Sequence, residues 1–240
     1  MKTPIPRQSW SIIIFCYNEE ASLRRVVLEV RKVLPRISSS RNEILIVDDG
    51  STDTSPLLIR GLVKEFPRVR ALFHPRNLGI GRTLRDGYFR ARYDNVCAVP
   101  ADGQFDPAEL LPFTQVPDGS FISFFRKRQE GYSLYRRFLS AFNRLINEVF
   151  LGFNLEDVNW VKIYKRKALR GLDLRLESSL IESEICAKLI LQGTRFTQSP
   201  SIYHPRKSGR AQGAGMRTVF RALKELVKLA RVVEDFRRKA

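Results

Sequence analysis

The feature that most limits the fold of this 240-residue chain is an alternation, in its first half, of short β-branched runs with amphipathic stretches. Runs rich in Ile, Val and Phe predict strands at residues 11–17, 43–47, 69–73, 95–99 and 121–125. Apolar residues at helical spacing predict helices at about 22–34, 56–66 and 79–92, and a shorter one from Pro107. Strands that alternate with helices form βαβ units, so the expected fold class is α/β, with a mainly parallel, Rossmann-like sheet flanked by helices.

The second half follows a different pattern. It predicts helices at residues 132–151 and 180–191 and strands at 160–164 and about 195–203. Residues 216–233 predict a strongly amphipathic helix with a basic polar face. Its predicted apolar face consists of Val219, Phe220, Leu223, Leu226, Val227 and Ala230.

Positive charge is concentrated in this second half. Residues 1–125 hold 17 basic and 14 acidic side chains, whereas residues 126–240 hold 25 basic and 11 acidic, which gives the formal net charge of +17. Any anionic partner is therefore expected at the second half. Nucleic acid is one class of anionic partner that such basic helices can bind.

Three single cysteines, Cys16, Cys97 and Cys186, lie inside apolar runs without the paired spacing of a disulfide framework or zinc site. We therefore expect a reducing compartment. The sequence contains neither a signal-peptide pattern nor the ~20 consecutive apolar residues that cross a bilayer.

Polar residues follow each predicted strand of the first half. The four ends read YNEE (17–20), DDGSTD (48–53), HPRN (74–77) and PADGQ (100–104). In an open α/β sheet, ligands bind beyond the carboxyl ends of the strands, where carboxylates can hold ligand hydroxyls or a divalent cation. Asp53 and Asp106 are better explained as helix caps or turns, and Glu109 completes a capping-box pattern after Asp106.

Gly79 and Gly81 open a predicted helix after a strand, but Leu84 stands where the third glycine of a dinucleotide fingerprint would be. A close approach of the backbone to a neighbour explains these glycines equally well.

Together these segments resemble the successive motifs of family 2 glycosyltransferases. The first four are SIIIFCYNEE (11–20), ILIVDDGSTD (44–53), NLGIGRTLRDG (77–87) and ADGQFDP (101–107). DVNWVKIYKR (157–166), ESEI (182–185) and YHPRKSG (203–209) resemble the subgroup of dolichyl- and polyprenyl-phosphate sugar synthases. The resemblance covers about residues 9–210 and implies a GT-A domain at 1–210, with a nucleotide-sugar half (9–125), an acceptor half (126–210) and an appended basic helix (211–240).

The resemblance implies a role for each matching position. Its nucleotide-sugar residues are Tyr17, Glu19, Asp48, Asp49, Asn77, Gly79, Gly81 and Asp102. Asp102 and Gln104 match the metal and diphosphate motif, and Arg206, with Lys207 beside it, matches a basic loop that binds phosphates. The family transfers the sugar by direct displacement, with inversion at the anomeric carbon.

Pro100 stands where the usual Asp-x-Asp motif has its first Asp, so Asp102 is the only carboxylate of the pair. Magnesium bound to a nucleotide diphosphate needs only one or two protein carboxylates. A Mg²⁺ or Mn²⁺ cofactor therefore stays an expectation, although a degenerate, non-catalytic transferase remains open.

The expected acceptor is a polyprenyl phosphate or another membrane lipid or glycan of the cell envelope. A lipid phosphate needs no general base, because a phosphate monoester has a second pKa of about 6. A hydroxyl acceptor, soluble or on a glycan, does need one, and Glu182 and Glu184 are then the candidate bases, with ordinary acids of a helix N-terminus as the alternative. Asp102, in the metal and diphosphate motif, is the third candidate catalytic residue.

The basic half suggests a peripheral position on the cytoplasmic face of an anionic membrane, alone or with an integral-membrane partner subunit. The alternative for its helices is packing against the sheet. The acidic strand ends argue against nucleic acid as the main partner. A sugar-phosphate nucleotidyltransferase would want a basic Gly-rich loop after the first strand, where this chain has two glutamates.

Overall fold

The computed structural model describes residues 7–127, 154–205 and 216–238. The strands are β1 Trp10–Cys16, β2 Asn42–Asp48, β3 Val69–Phe73, β4 Asn95–Pro100, β5 Ser120–Arg126, β6 Lys162–Lys165 and β7 Arg195–Ser201. The helices are α1 Leu23–Ile37, α2 Ser55–Glu65, α3 Ile80–Arg90, α4 Arg166–Arg170, α5 Ile181–Leu191 and α6 Met216–Arg237, with a short 3-10 helix at Pro107–Leu110.

The described strands form one sheet of seven in the order β3-β2-β1-β4-β6-β5-β7. Six of these seven strands run in the same direction. The seventh, β6, is antiparallel to its neighbours β4 and β5. The carboxyl ends of these six strands therefore lie along one edge of the sheet, which we call the donor edge. The α/β fold and the mainly parallel sheet are confirmed.

The sheet is buried on both faces, which is why its central strands read as continuous apolar runs. Ile12 and Ile14 of β1 face a core formed with α1, α2 and the 3-10 helix, whereas Ile13 faces a second core formed with α3, α5 and α6. Successive side chains of a strand point to opposite faces, so this single run feeds both cores.

Helix α6 packs on the domain through its second half, from Glu225 onward, where its side chains are described. Leu229 and Val233 are buried in the second core, and Glu225 accepts the N–H of Ser178 at 2.9 Å. Val227, predicted on the apolar face, is 58% exposed. In this part of α6 the apolar face is thus rotated from the predicted one, towards Leu229 and Val233.

The element boundaries largely follow the prediction. Residues 160–164 were predicted as a strand, but β6 spans Lys162–Lys165, and the Trp160 indole lies in the preceding loop, where its Nε1 donates to Ser201 Oγ at 2.9 Å. Asp106 caps the 3-10 helix by accepting the Ala108 N–H at 2.8 Å. The predicted helix at 132–151 lies outside the described residues.

An ion pair joins the end of β5 to the approach to β6. Arg126 donates to both carboxylate oxygens of Asp157, at 2.6 and 3.2 Å, and its guanidinium lies 4.8 Å from the centre of the Trp160 ring. Since β5 ends and β6 begins at the donor edge, this pair holds together the two chain ends that flank residues 128–153.

Gly81, in the first turn of α3, allows a close approach between two backbones. A Cβ at this position would lie 2.3 Å from the carbonyl carbon and oxygen of Glu177. Overpacking of this kind costs about 1–3 kcal/mol. We therefore expect Gly81→Ala to lower the free energy of unfolding by about 2 kcal/mol in urea denaturation.

Gly61 is the matched control for this substitution. An added Cβ there meets nothing within 4 Å, so Gly61→Ala in the middle of α2 should raise the stability by up to about 1 kcal/mol. Equal stability of the two variants would contradict the packing assigned to Gly81.

Candidate functional site

The polar ends of the parallel strands come together at the donor edge. Cys16 of β1 is in register with Asp48 of β2, Asp48 with Phe73 of β3, and Phe15 with Pro100 of β4. Hydrogen bonds continue past the strands, since the N–H groups of Asp49 and Ala101 donate to Cys16 and Phe15 at 2.9 and 3.1 Å. The predicted convergence of these ends is confirmed.

Asp49 is the most fully engaged acid of this edge. Its Oδ1 accepts the Leu78 N–H at 2.9 Å and lies 2.8 Å from His74 Nδ1, and its Oδ2 accepts the Gly79 N–H at 2.9 Å. The carboxylate is buried, and these hydrogen bonds tie the loop between β3 and α3 to the end of β2. Asp49 was predicted to line a nucleoside site, and these contacts give it a structural role at the end of β2.

His74 is a residue of this site that the sequence did not single out. Its imidazole is buried between two carboxylates, with Nε2 at 3.3 Å from Asp86 Oδ2. Asp86 in turn pairs with Arg82 on the preceding turn of α3, at 2.8 Å. His74 therefore lies between Asp49 and the Asp86 carboxylate of α3. Gly79 precedes this helix and Gly81 lies in its first turn, while Asn77 is exposed on the loop before it.

Asp48 has a different environment from its neighbour. Its Oδ1 accepts the Ser51 hydroxyl at 2.5 Å. Burial raises the pKa of this carboxyl above its ordinary value, and the nearby acids Asp53 and Asp49 add to the effect. A carboxyl group whose burial disfavours the charged form is typical of a functional position.

The end of β1 is shaped by Asn18, whose φ of 55° is the only positive value of a non-glycine residue in the described ranges. Asn accepts this conformation more readily than most residues, and its Oδ1 here receives the Thr52 N–H at 2.8 Å.

Glu19 is buried, with Oε2 at 3.2 Å from the Ser22 hydroxyl, and Tyr17 is half-buried. Asp53 serves as a turn and cap residue, accepting the Ser55 N–H at 2.9 Å.

The fourth strand end forms a tight turn. Asp102 Oδ1 accepts the Gln104 N–H at 2.9 Å, and Gly103 between them has a φ of 73°. The Gln104 side chain crosses to the segment after β7, where its Nε2 donates to the Tyr203 hydroxyl at 2.5 Å. Asp102 and Gln104 therefore lie on one turn at the donor edge, as predicted.

A divalent cation fits this turn only if a bound diphosphate and water supply most of its ligands. Within residues 7–127, 154–205 and 216–238, no group of three or more His, Cys, Asp and Glu side chains is arranged to hold a metal ion. Asp102 and Gln104 offer one carboxylate and one amide, both oxygen ligands of the type that Mg²⁺ prefers. Such a pair suits an ion whose remaining ligands are diphosphate oxygens and water.

Glu182 lies in a buried polar network rather than at an open edge. Its two oxygens accept the Tyr88 and Tyr164 hydroxyls at 2.6 and 2.7 Å, and Lys162 Nζ is 3.2 Å away. Burial raises the pKa of both tyrosines well above the ordinary value, so the hydroxyls are neutral donors. These contacts favour a structural role for Glu182, and its role as a base stays a prediction.

Glu184 is still more enclosed. Its side chain is fully buried and accepts the N–H groups of Arg175 and Leu176, each at 2.9 Å. Lys188 Nζ, one turn along α5, is 2.6 Å from it. With these donors Glu184 fixes the chain that leads into α5. The contacts again favour the structural alternative over a catalytic base.

Arg206 and Lys207 lie outside the described residues, which stop at Pro205 and resume at Met216. The segment before them is anchored, because the Ile202 N–H donates to Glu109 Oε1 at 2.9 Å and the His204 N–H donates to the Gln104 carbonyl at 3.0 Å. Glu109 was expected to complete a capping box, and here it binds the end of β7. Its partner is 93 residues away, which no local pattern reports.

The mainly parallel sheet flanked by helices, with acidic residues at its carboxyl edge, matches the architecture of GT-A glycosyltransferases. A mannosyltransferase of Pyrobaculum calidifontis, solved in complex with GDP-Man and Mn²⁺, superposes with a TM-score of 0.62 over 97% of this chain and 75% of that one, at 15% identity. The UDP complex of glucosyl-3-phosphoglycerate synthase from Mycobacterium tuberculosis gives 0.66 over 93% and 80%, also at 15% identity. At these identities the likeness shows the shared fold.

The sequence assigns the family. It matches Glycosyl transferase family 2 over residues 11–172, and the chain belongs to this family of glycosyltransferases.

Three curated relatives carry polyprenyl-phosphate names. An undecaprenyl-phosphate mannosyltransferase of Micrococcus luteus is 24% identical over 85% of this chain and 86% of its own length. A dolichyl-phosphate beta-glucosyltransferase of Trichomonas vaginalis is 32% identical over 42% of this chain and 33% of its own length. An undecaprenyl-phosphate 4-deoxy-4-formamido-L-arabinose transferase of Salmonella choleraesuis is 24% identical over 89% and 65%. This chain thus spans about a third of the length of the Trichomonas relative and just under two thirds of the length of the Salmonella relative.

The different environments of Asp48 and Asp49 lead to opposite expectations for their amides. Asp49→Asn replaces one oxygen by an amide nitrogen, which leaves a buried donor such as the Gly79 N–H without an acceptor. We expect the free energy of unfolding to fall by about 2 kcal/mol. Asp48→Asn keeps an oxygen for the Ser51 hydroxyl and should be at least as stable as the wild type at pH 7.

The pH dependence provides the control. Because the pKa of Asp48 is raised on folding, its protonated form stabilises the native state below about pH 3.9, and this contribution is lost as the pH rises through the folded-state pKa. Urea denaturation of Asp48→Asn should lack that loss. A destabilised Asp48→Asn with an unchanged pH profile would contradict the environment described for Asp48.

Proposed function

We propose that the protein transfers a sugar from a nucleoside diphosphate sugar to a polyprenyl phosphate. The observation that carries the proposal is the donor edge, where Asp48 ends β2 and Asp102 follows β4, the two strands on either side of β1. The names of the curated relatives support the acceptor class, since all three are polyprenyl- or dolichyl-phosphate transferases. Residues 9–125 would form the donor half and residues 126–210 the acceptor half.

In this proposal the nucleoside binds at the ends of β1 and β2. Asp48 and Glu19 offer carboxylate oxygens to ribose hydroxyls or a base N–H, and the half-buried Tyr17 ring lies beside them. Asp49 supports the site indirectly, because its contacts to Leu78 and Gly79 hold the loop that carries Asn77 and leads into α3.

The diphosphate is assigned to the turn after β4, with Mg²⁺ or Mn²⁺ as the cofactor. Asp102 and Gln104 would hold the cation, which neutralises charge on the departing nucleoside diphosphate. Because one carboxylate of the usual pair is replaced by Pro100, a larger share of this neutralisation falls to the protein's own cations. Arg206 and Lys207 are the residues proposed for it.

The reaction is a single displacement. An acceptor phosphate oxygen forms a bond to the anomeric carbon while the bond from that carbon to the diphosphate oxygen breaks, and the nucleoside diphosphate leaves with the electron pair. The phosphate is already ionised near neutral pH, since its second pKa is about 6. The burial of Glu182 and Glu184 supports this acceptor over a hydroxyl, because both carboxylates are occupied by partners within the protein.

Transfer activity tests the proposal. Purified protein should move labelled sugar from a UDP- or GDP-sugar to undecaprenyl phosphate in detergent, and chelator should lower the rate. Asp102→Asn should lower kcat by about 100-fold or more, because it removes the only carboxylate proposed for the cation. Arg90→Gln, on the exposed end of α3 away from the donor edge, is the control and should keep full activity.

Two results would overturn this part. Transfer to a soluble hydroxyl acceptor but not to undecaprenyl phosphate would reassign the acceptor. Full activity of Asp102→Asn in the presence of chelator would remove the cation from the mechanism.

The basic half is proposed to hold the protein on the cytoplasmic face of an anionic membrane. Among the described helices none is long and apolar enough to cross a membrane. Each Lys or Arg near an anionic surface contributes about 1 kcal/mol of attraction. The buried Leu229 and Val233 favour packing of the last turns of α6 on the domain, so the charged face rather than an inserted apolar face would supply the contact.

Partition onto vesicles tests the membrane role. The protein should sediment with phosphatidylglycerol vesicles at low salt and be released as ionic strength rises, since the attraction is screened. Reversal of two α6 cations, Lys228→Glu and Arg231→Glu, should reduce the bound fraction several-fold. Unaltered partition of this variant would exclude α6 from the contact, and tighter binding to DNA than to the vesicles would favour a nucleic-acid partner.

A further inference from the structure

Gln104 contacts both the donor turn and the segment that follows β7. Its backbone N–H donates to Asp102 Oδ1 at 2.9 Å, and its carbonyl accepts the His204 N–H at 3.0 Å. Its side-chain Nε2 donates to the Tyr203 hydroxyl at 2.5 Å. A residue in the turn after β4 is thus bound through three groups, two of them to residues about 100 positions later in the chain.

The Tyr203 ring is held in place independently of its hydroxyl. It packs against the Trp160 ring with centroids 6.1 Å apart, and the Trp160 indole donates to Ser201 Oγ at 2.9 Å. The neighbouring Ile202 N–H is bound by Glu109 at 2.9 Å. The hydroxyl is therefore presented to Gln104 by a preformed support, and its removal leaves that support intact.

The orientation of the Gln104 amide matters chemically. An amide has one oxygen that can bind a cation and one NH₂ group that cannot. When the NH₂ donates to Tyr203, the other arm of the amide is the oxygen Oε1. Without this partner the amide can rotate about its last bond and offer either atom.

We propose that Tyr203 is a positioning residue for the divalent cation of the donor diphosphate, acting through Gln104. Its hydroxyl fixes the amide so that Oε1 is available as an oxygen ligand beside Asp102. The inference rests on the proposed function, because it takes the turn after β4 as the diphosphate site. In a chain with Pro100 in place of the first acid, a correctly oriented neutral oxygen gains importance.

Calorimetric binding of UDP and GDP, each with MnCl₂ and with EDTA, tests the inference on a readout other than turnover. The wild type should bind one of the two nucleotides more tightly with Mn²⁺. Tyr203→Phe should lose about fivefold in affinity with Mn²⁺, the factor that corresponds to one neutral hydrogen bond, and nothing in EDTA. A merely structural role would lower both affinities together.

A double-mutant cycle separates action through Gln104 from an independent effect. Gln104→Ala should remove most of the Mn²⁺-dependent gain, and adding Tyr203→Phe to it should have no further effect. Additive losses would overturn the inference. Tyr93→Phe is the matched control, because this tyrosine lies before β4 at the opposite edge of the sheet, where its backbone N–H donates to Ser11 at 3.1 Å.

Failure of the inference and failure of the proposed function give different results. If Gln104→Ala and Asp102→Asn lose the Mn²⁺-dependent affinity while Tyr203→Phe keeps it, the diphosphate site stands and the role of Tyr203 falls. If none of the three variants changes nucleotide binding, or if the wild type binds neither nucleotide, the turn after β4 is not the diphosphate site and both fall. Unchanged thermal unfolding temperatures of the variants show that each comparison is made on folded protein.

Discussion

The Asp49 carboxylate accepts two backbone N–H groups and contacts His74, and the loop that leads from β3 to α3 at the donor edge depends on that arrangement. A parallel sheet brings strand ends together but does not fix the loops beyond them. Asp49 fixes one, because a buried carboxylate is stable only when its oxygens are supplied with donors. The loop from β3 to α3 is therefore held against β2, and the first turn of α3 meets the Glu177 backbone at Gly81.

The acids of this protein divide by how completely the fold satisfies them. Glu184 and Asp49 are buried with several donors each, and Glu182 is shared by two tyrosines and a lysine. Asp48 differs, because burial raises its pKa and no cation pairs with it among the residues that the structure describes. A ligand that donates hydrogen bonds can stabilise a carboxylate whose charged form the fold disfavours. Asp48 is therefore a stronger candidate for ligand contact than Asp49, which already accepts several hydrogen bonds.

The sequence predicted what depends on local periodicity and on the parallel direction of strands. Apolar runs gave the strands, and the polar residues after them identified the donor edge. The partners of the buried acids were not predictable, since Tyr88 and Glu182 are 94 residues apart and Gln104 and Tyr203 are 99 apart. Hydrogen bonds between distant segments leave no periodic signal. The exposed Val227 shows a related limit, because apolar pattern alone does not fix which side of a helix meets the core.

The reversed strand β6 gives the fold a freedom that an all-parallel sheet lacks. A parallel strand after β5 would require the chain to cross back to the far edge of the sheet. Because β6 is antiparallel, the chain leaves β5 and enters β6 at the same edge, and the Arg126–Asp157 pair closes that exit and entrance. Since the chain is fixed at this edge on both sides of residues 128–153, the connection can differ in length and sequence while β5 and β6 stay paired. The half proposed to bind the acceptor can therefore vary between relatives without a change in the donor edge.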